Sequence, residues 1–233
     1  MTTEILDDLR TAAGGDDALL TSPSDCWPYG VDNSRREALP AAVLLPRSHD
    51  EVVAIVRACN HHQLPLAIRG RGTGTTGASI PVESGVVVAF ERMNRIIEVN
   101  GDDRLLVAQP GATNAEVQEA AAAAGFFWPP DPTSAAFCTI GGNIGHNSAG
   151  PCAVKYGTTR DNILGLRIVT GGGVEMRTGT RTTKGVVGYD LTRLIVGSEG
   201  TLALVTEATL RLTPLPGAVR SMRAFYRDTA AAP

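Results

Sequence analysis

RGRGTGTTGAS, residues 69–79, is the stretch on which the reading of the fold turns. Gly72, Gly74 and Gly77 match the pattern G-x-G-x-x-G, and the preceding LPLAIR reads as a strand. In a Rossmann dinucleotide fold a helix would begin here, so that its N-terminus could hold a pyrophosphate. The residues that follow, ASIPVESGVVVAF, forbid such a helix through Pro81 and a β-branched run. An isolated match of this kind is weak, and the Rossmann reading is set aside. The idea of an anion cradle survives without the helix. A turn of consecutive small residues points several backbone N–H groups into one concavity. Arg69 and Arg71 flank it. A tight turn without a ligand explains one or two glycines, but not the whole run.

Working outward, AVLLPRSHDEVVAIVRACNHHQ predicts a strand ended by Pro46 and then a helix. Ser48 and Glu51 form an S-x-x-E capping box, and Val52, Val53, Ile55, Val56 and Cys59 supply an apolar stripe. His61 and His62 fall at the helix C-terminus, where the dipole favours cations. With LPLAIRG as the next strand, the chain opens β-α-β. VVVAF, RIIEV and RLLVAQP read as short strands. TNAEVQEAAAAAG is a second helix, capped by Thr113 or Asn114 and stopped by Gly125.

The segment from Phe126 to Pro151 carries no period and reads as one long irregular loop, of the kind that is usually functional. NILGLRIVTGGGVEMRTG is a hairpin with a glycine-rich turn, DLTRLIV a short helix, and LALVTEATLRL an alternating strand. After Pro214 the pattern is lost. No internal repeat is visible, and the class is α+β.

The 233 residues carry a net charge of −3 and no basic block, which argues against nucleic acid as a partner. The acidic, amphipathic N-terminus lacks the features of a signal peptide, and no apolar run is long enough to span a membrane. Cys26, Cys59, Cys138 and Cys152 fit no zinc or iron–sulfur spacing, and no histidine pair has metal-ligand spacing, so no metal site is expected. Scattered thiols suit a reducing cytoplasm, with peripheral membrane association left open. The 26 glycines are mostly clustered, which means backbone close to something or backbone at positive φ.

Three clusters, RGRGTGTTGAS at 69–79, PPDPTSAAFCTIGGNIGHNSAGP at 129–151 and GSEGTLALVTEATLRL at 197–212, bracket VKYGTTRDNILGLRIVT at 154–170. In this order they resemble the FAD-binding (PCMH-type) domain of the family that includes vanillyl-alcohol oxidase. Within it they look most like the glycolate oxidase flavin subunit and the D-lactate and D-2-hydroxyacid dehydrogenases. The resemblance covers roughly residues 38–215. It leaves an N-terminal segment, 1–37, and the start of a truncated linker or cap, 216–233. It implies a two-subdomain fold of mixed sheets with flanking helices.

The resemblance also implies roles. Gly70, Arg71, Gly72, Thr73 and Gly74, with Ala78 and Ser79, would cradle the FAD pyrophosphate. Pro132, Thr133, Thr139, Gly141, Gly142, Asn143, Ser148 and Gly157 would line the isoalloxazine and ribityl side. Glu199, Gly200 and Val205 would close over the adenosine end. The usual N-A-G-G reads Asn147-Ser148-Ala149-Gly150 here, and the usual G-T-L-G reads Gly200-Thr201-Leu202-Ala203. His146 takes a place often held by Glu or Thr, where it would either face the flavin or, as the preferred reading, sit in a solvated loop. Thr73 stands where many relatives carry a histidine joined covalently to the flavin, so noncovalent FAD is expected.

The implied activity is hydride transfer from a 2-hydroxy acid to flavin N5. It needs a base and a carboxylate clamp. No catalytic residue is assigned. Lys155, Arg160, Asp161 and His146 are polar candidates for which structural roles weigh at least as much. In the hydroxyacid dehydrogenases these groups come largely from a C-terminal domain, so a second domain or subunit is expected to cap the small-molecule substrate. The rival readings are a noncatalytic flavin module and UDP-N-acetylenolpyruvoylglucosamine reductase, which shares the fold.

Overall fold

A computed structural model describes residues 1–82, 85–182 and 184–231, so the last two residues of the 216–233 segment lie outside it. The first lobe contains α1 (Thr3–Ala13), β1 (Leu19–Leu20), α2 (Pro23–Cys26), β2 (Ala42–Leu44), α3 (His49–His61), β3 (Leu66–Arg69) and β4 (Val86–Ala89). Its sheet runs β1-β2-β4-β3. The last three strands are parallel, and β1 is antiparallel at the edge. A parallel sheet covered on both faces needs continuous apolar strands, and Val86–Ala89 is buried at every position. Ala42, Leu44, Val86 and Val88 pack on α1 and α3. Val43, Val87 and Ala89 face Leu20, Cys26 and Tyr29 on the other side.

α3 forms where its sequence predicts. The Ser48 hydroxyl caps the Glu51 N–H, and all five residues of the apolar stripe are buried. The Glu51 carboxylate accepts from the Arg47 N–H at 2.7 Å, so the box closes one residue earlier than the pattern implies.

The second lobe contains β5 (Ile96–Asn100), β6 (Leu105–Ala108), α4 (Asn114–Ala123), β7 (Phe126–Phe127), α5 (Ile140–His146), α6 (Ala153–Tyr156), β8 (Ile163–Thr170), β9 (Glu175–Gly179), α7 (Leu191–Ile195), β10 (Ala203–Arg211) and β11 (Thr213–Pro214). Its main sheet is antiparallel, in the order β5-β6-β10-β8-β9, and β11 pairs with β7 separately. Leu106, Ala108, Leu166, Ile168, Ala208 and Leu210 meet Val117, Trp128, Ile140, Ile144 and Ile195 in one core. The α+β class and the mixed sheets are as the sequence implies. Residues 214–231 are exposed.

One expectation is corrected. The segment 126–151 is not a single irregular loop, because it contains α5. Thr139 caps that helix with a bond from the Gly142 N–H, Asn147 ends it at φ 49°, and Ile140 and Ile144 are both fully buried. An i, i+4 isoleucine pair between a Thr and an Asn is a helix signal, but three glycines in seven residues outweigh it on propensity alone. Tertiary packing supplies what propensity lacks.

The lobes are joined behind the cleft. Val169 of β8 and Leu204 of β10 belong to the core of α3. His49, at the start of α3, places Nδ1 2.7 Å from Thr206 Oγ1 and Nε2 2.7 Å from Glu175 Oε2. Thr206 is the extra residue of a β-bulge, since Val205 pairs with Ile168 and Glu207 with Arg167. Its hydroxyl donates to the Arg167 carbonyl at 3.0 Å. Both nitrogens of the His49 ring therefore have an oxygen partner on the second lobe. Asp50 completes a trio close enough to share a metal ion, yet Arg167 Nη2 already lies 3.6 Å from the same Glu175 oxygen. The cluster is an ion-pair network.

Candidate cofactor site

Three segments from the two lobes enclose a cleft of about 330 Å³, within the range of small-molecule sites. The first wall is the turn after β3. Gly72 and Gly77 adopt φ of +65° and +84°, the left-handed region where glycine avoids strain. Among the described residues, none of the backbone N–H groups from Gly72 to Gly77 has an acceptor. Six adjacent donors without acceptors in a half-buried turn are the arrangement that can cradle an anion.

Arg69 does not flank this cradle as a free cation. It is 7% exposed, and its guanidinium donates to the Pro28 carbonyl at 3.0 Å and contacts Ser79 Oγ at 3.5 Å. Burial lowers its pKa, against the charge of Asp32. A Cβ on Gly72 would lie 2.4 Å from Arg69 Nη2, so the arginine supports the turn from below. Arg71 is exposed and lines the cleft.

The second wall is Thr139 with α5. Its glycines act through space rather than through φ. A Cβ on Gly141 would stand 2.8 Å from Pro110 Cβ, whereas one on Gly142 would meet nothing closer than Thr139 Oγ1 at 3.3 Å. Asn143 is buried and donates from Nδ2 to Asn114 Oδ1 at 3.1 Å. The start of α5 is not an anion site. The Ile140 and Gly141 amides donate to the Ala112 and Pro110 carbonyls, both at 2.8 Å, and the Gly142 amide donates to Thr139 Oγ1 at 3.2 Å. The two walls meet where a Cβ on Gly70 would fall 2.5 Å from Thr139 Oγ1.

The third segment is the turn at 197–200. The Gly197 and Glu199 amides donate to the Ile144 and Gly145 carbonyls at 2.9 and 2.8 Å, which satisfies the end of α5. A Cβ on Gly200, at φ +80°, would lie 2.7 Å from Ile68 Cδ1, so this turn presses against the first lobe.

The cleft gathers Gly70, Arg71, Gly72, Thr73, Gly74, Ala78 and Ser79 from the first wall. It gathers Thr139, Gly141, Gly142, Asn143 and Ser148 from the second, and Glu199, Gly200 and Val205 from the third. Pro132, Thr133 and Gly157 do not line it. The Pro132 carbonyl accepts from the Ala135 amide within a local turn, and Thr133 lies in that same turn. Gly157, at φ +81°, ends α6 against the Asp161 side chain. His146 is corrected from a solvated loop residue. It lies in the last turn of α5 and lines the cleft, with Nδ1 3.5 Å from Glu199 Oε1. Cys138 also lines the cleft, and burial raises its pKa. Of the other polar candidates, Arg160 donates to the Val196 carbonyl at 2.9 Å and Asp161 caps the turn at Thr158.

A turn of acceptor-free amides and a glycine-bearing helix thus line one cleft within a two-lobed α+β fold. Residues 40–179 match the family described as FAD binding domain, and the chain belongs to that family. It is 43% identical over 196 residues to glycolate oxidase subunit GlcD of Bacillus subtilis (strain 168), spanning 84% of this chain and 42% of that protein. It is 39% identical over 213 residues to D-2-hydroxyglutarate dehydrogenase of Stutzerimonas stutzeri (strain A1501), spanning 91% of this chain and 46% of that protein. Among solved structures, alkyldihydroxyacetonephosphate synthase superposes with a TM-score of 0.80 at 26% identity, over 94% of this chain and 41% of that one. The chain thus spans less than half the length of these relatives. Among the described residues no helix is long and apolar enough to cross a membrane.

Proposed function

We propose that the chain supplies the flavin half of an oxidoreductase that oxidises a 2-hydroxy acid, with FAD held noncovalently in the cleft. The run of acceptor-free amides from Gly72 to Gly77 carries this reading, because it suits the charge of a diphosphate better than the neutral acceptors of riboflavin. Gly70, Arg71, Gly72, Thr73, Gly74, Ala78 and Ser79 would hold the diphosphate. Thr139, Gly141, Gly142, Asn143 and Ser148 would lie along the ribityl chain and ring, where a planar group needs neighbours without bulk. Glu199, Gly200 and Val205 would close the adenosine end. Bound there, FAD supplies a hydride acceptor at N5. Thr73 offers no ring nitrogen for a covalent link.

Substrate positioning is the part that this chain leaves to others. Among the described residues, the arginines, the histidine and the glutamate on the cleft are engaged or exposed: Arg69 under the turn, His146 with Glu199, and Arg71 at the surface. An arginine clamp and a buried base would come from a second domain or subunit, which would also exclude water. The curated relatives, about twice the length of this chain, support that division.

Titration of the chain with FAD and FMN, followed by flavin fluorescence, tests the cofactor reading. Preference for FAD is expected, and equal affinity would contradict the diphosphate cradle. Acid precipitation of the loaded protein should leave all flavin in the supernatant. Flavin retained in the pellet would show a covalent link, through His146 or Cys152, and overturn the noncovalent assignment.

A further inference from the structure

We propose that the hairpin of residues 30–38, which precedes the family-matched region, is the template of the diphosphate cradle, with Asn33 as its positioning residue. This rests on the assignment of the cofactor's diphosphate to the turn at 72–77. The hairpin is closed by its own bonds. The Ala38 amide donates to the Gly30 carbonyl at 2.9 Å, and Val31 bridges Glu37. Its tip lies along the glycine turn from end to end. The Asn33 amide donates to the Gly72 carbonyl and Asn33 Nδ2 donates to the Thr73 carbonyl, both at 3.3 Å. Arg36 and Ser34 would meet a Cβ on Gly77 at 3.0 and 3.4 Å. At the far end, Ser79 Oγ donates to Asp32 Oδ2 at 2.9 Å.

The consequence is directional. A peptide unit points its carbonyl and its N–H in opposite directions. With the Gly72 and Thr73 carbonyls drawn towards Asn33, the N–H groups of Thr73 and Gly74 turn to the other side, which is the cleft. Without the Asn33 side chain the Thr73–Gly74 peptide unit loses its anchor and is free to flip, and a carbonyl presented to a diphosphate repels it. Asp32 fixes the register of the tip. Burial raises its carboxyl, but bonds from Ser34 and Ser79 and the charge of Arg69 outweigh that and keep it ionised below its ordinary range. The hairpin acts on the carbonyl side of the turn and touches the ligand only through it. Preorganised donors bind more tightly than donors that must be oriented on binding.

The test is the full chain carrying Asn33→Ala, an exposed position where truncation leaves the core intact. FAD and riboflavin affinities are read by flavin fluorescence, and ADP is measured as a competitor of FAD. The expected result is a loss of tenfold or more for FAD and ADP, with riboflavin within twofold of the unaltered chain. FAD and ADP affinities within twofold of the unaltered chain would overturn the proposal, as would an equal loss for all three ligands. An unaltered chain that binds neither FAD nor ADP would instead remove the cofactor assignment, and this inference with it. Asp32→Asn serves as a second variant and should reproduce the selective loss more weakly.

Discussion

The two long walls of the cleft are both rich in glycine, yet they use it for opposite reasons. In the turn at 70–79, Gly72 and Gly77 are needed for their positive φ, and the reward is a row of free amides. In α5, Gly141 and Gly142 have helical backbone and make room, while the first amides of the helix are already consumed by Ala112, Pro110 and Thr139. One wall is electrostatic and the other is steric. The proposed function accordingly puts an anion on the turn and a flat ring along the helix. A helix N-terminus is often the anion site of a nucleotide fold. Here the helix N-terminus is closed, and in the proposed reading a helix-free turn takes that role.

The largest effect expected is at Gly72. Valine there would combine a β-branched residue at φ +65° with a Cβ 2.4 Å from the buried Arg69 guanidinium. Left-handed strain and displacement of a buried, bonded cation together should cost about 3 kcal/mol. For a chain of this size that lowers the melting temperature by roughly 6–12 °C. FAD binding should be lost along with it. A Gly72→Val protein that melts like the unaltered chain would show that the turn is not held in this conformation.

The two walls also differ in how much of them the sequence makes visible. The turn is legible because its signals are local: a glycine run, a preceding strand, and Pro81 to forbid a helix. α3 is legible through its S-x-x-E pattern and apolar spacing, α4 through its Thr113 or Asn114 cap and its Gly125 stop, and both form where expected. α5 is not, because its glycines look like loop residues. Its stability comes from Ile140 and Ile144 in the core and from carbonyls capped by a turn more than fifty residues later. The state of Arg69 was hidden for a similar reason. Its partners Pro28, Asp32 and Tyr29 lie about forty residues upstream, beyond the reach of any local pattern. Resemblance to known flavin domains supplied the pairing of the two walls, which neither composition nor periodicity contains.

A smaller and more discriminating effect is expected at Gly142. Alanine inside a helix gains about 1 kcal/mol over glycine, and among the described residues the one close neighbour here is Thr139 Oγ1 at 3.3 Å. The apo protein should therefore be as stable as the unaltered chain, or more so. If the ring lies along this wall, FAD affinity should nonetheless fall about tenfold, equivalent to roughly 1.4 kcal/mol. Thermal melts of apo protein alongside FAD titrations read both quantities. A Gly142→Ala protein of unchanged stability and unchanged FAD affinity would move the flavin away from α5 and end the steric reading of that wall.

The smallest effect concerns what keeps the two walls at a fixed spacing. Behind the cleft, His49 of the first lobe holds Glu175 and Thr206 of the second. The bond from His49, with the nearby charges of His49, Arg167 and Arg57, outweighs desolvation and keeps the Glu175 carboxyl below its ordinary value of 4.5. A carboxyl lowered on folding contributes stability that is fully present above its unfolded value. That stability disappears as pH falls through the folded value. The Glu175→Gln protein should thus melt slightly below the unaltered chain at pH 7, and the two melting curves should converge as pH drops below 4.5. Glu175 is about half exposed and solvent screens the pair, so the difference should be small and should shrink further in high salt. The value of the measurement lies in its partner readout. If the latch sets the spacing of the walls, FAD affinity in Glu175→Gln should weaken at pH 7 although residue 175 lies far from the glycine turn in sequence and outside the cleft lining. A variant with the expected acid behaviour and unaltered FAD affinity would show that the packing of Val169 and Leu204 on α3 fixes the spacing without help from the ion pair.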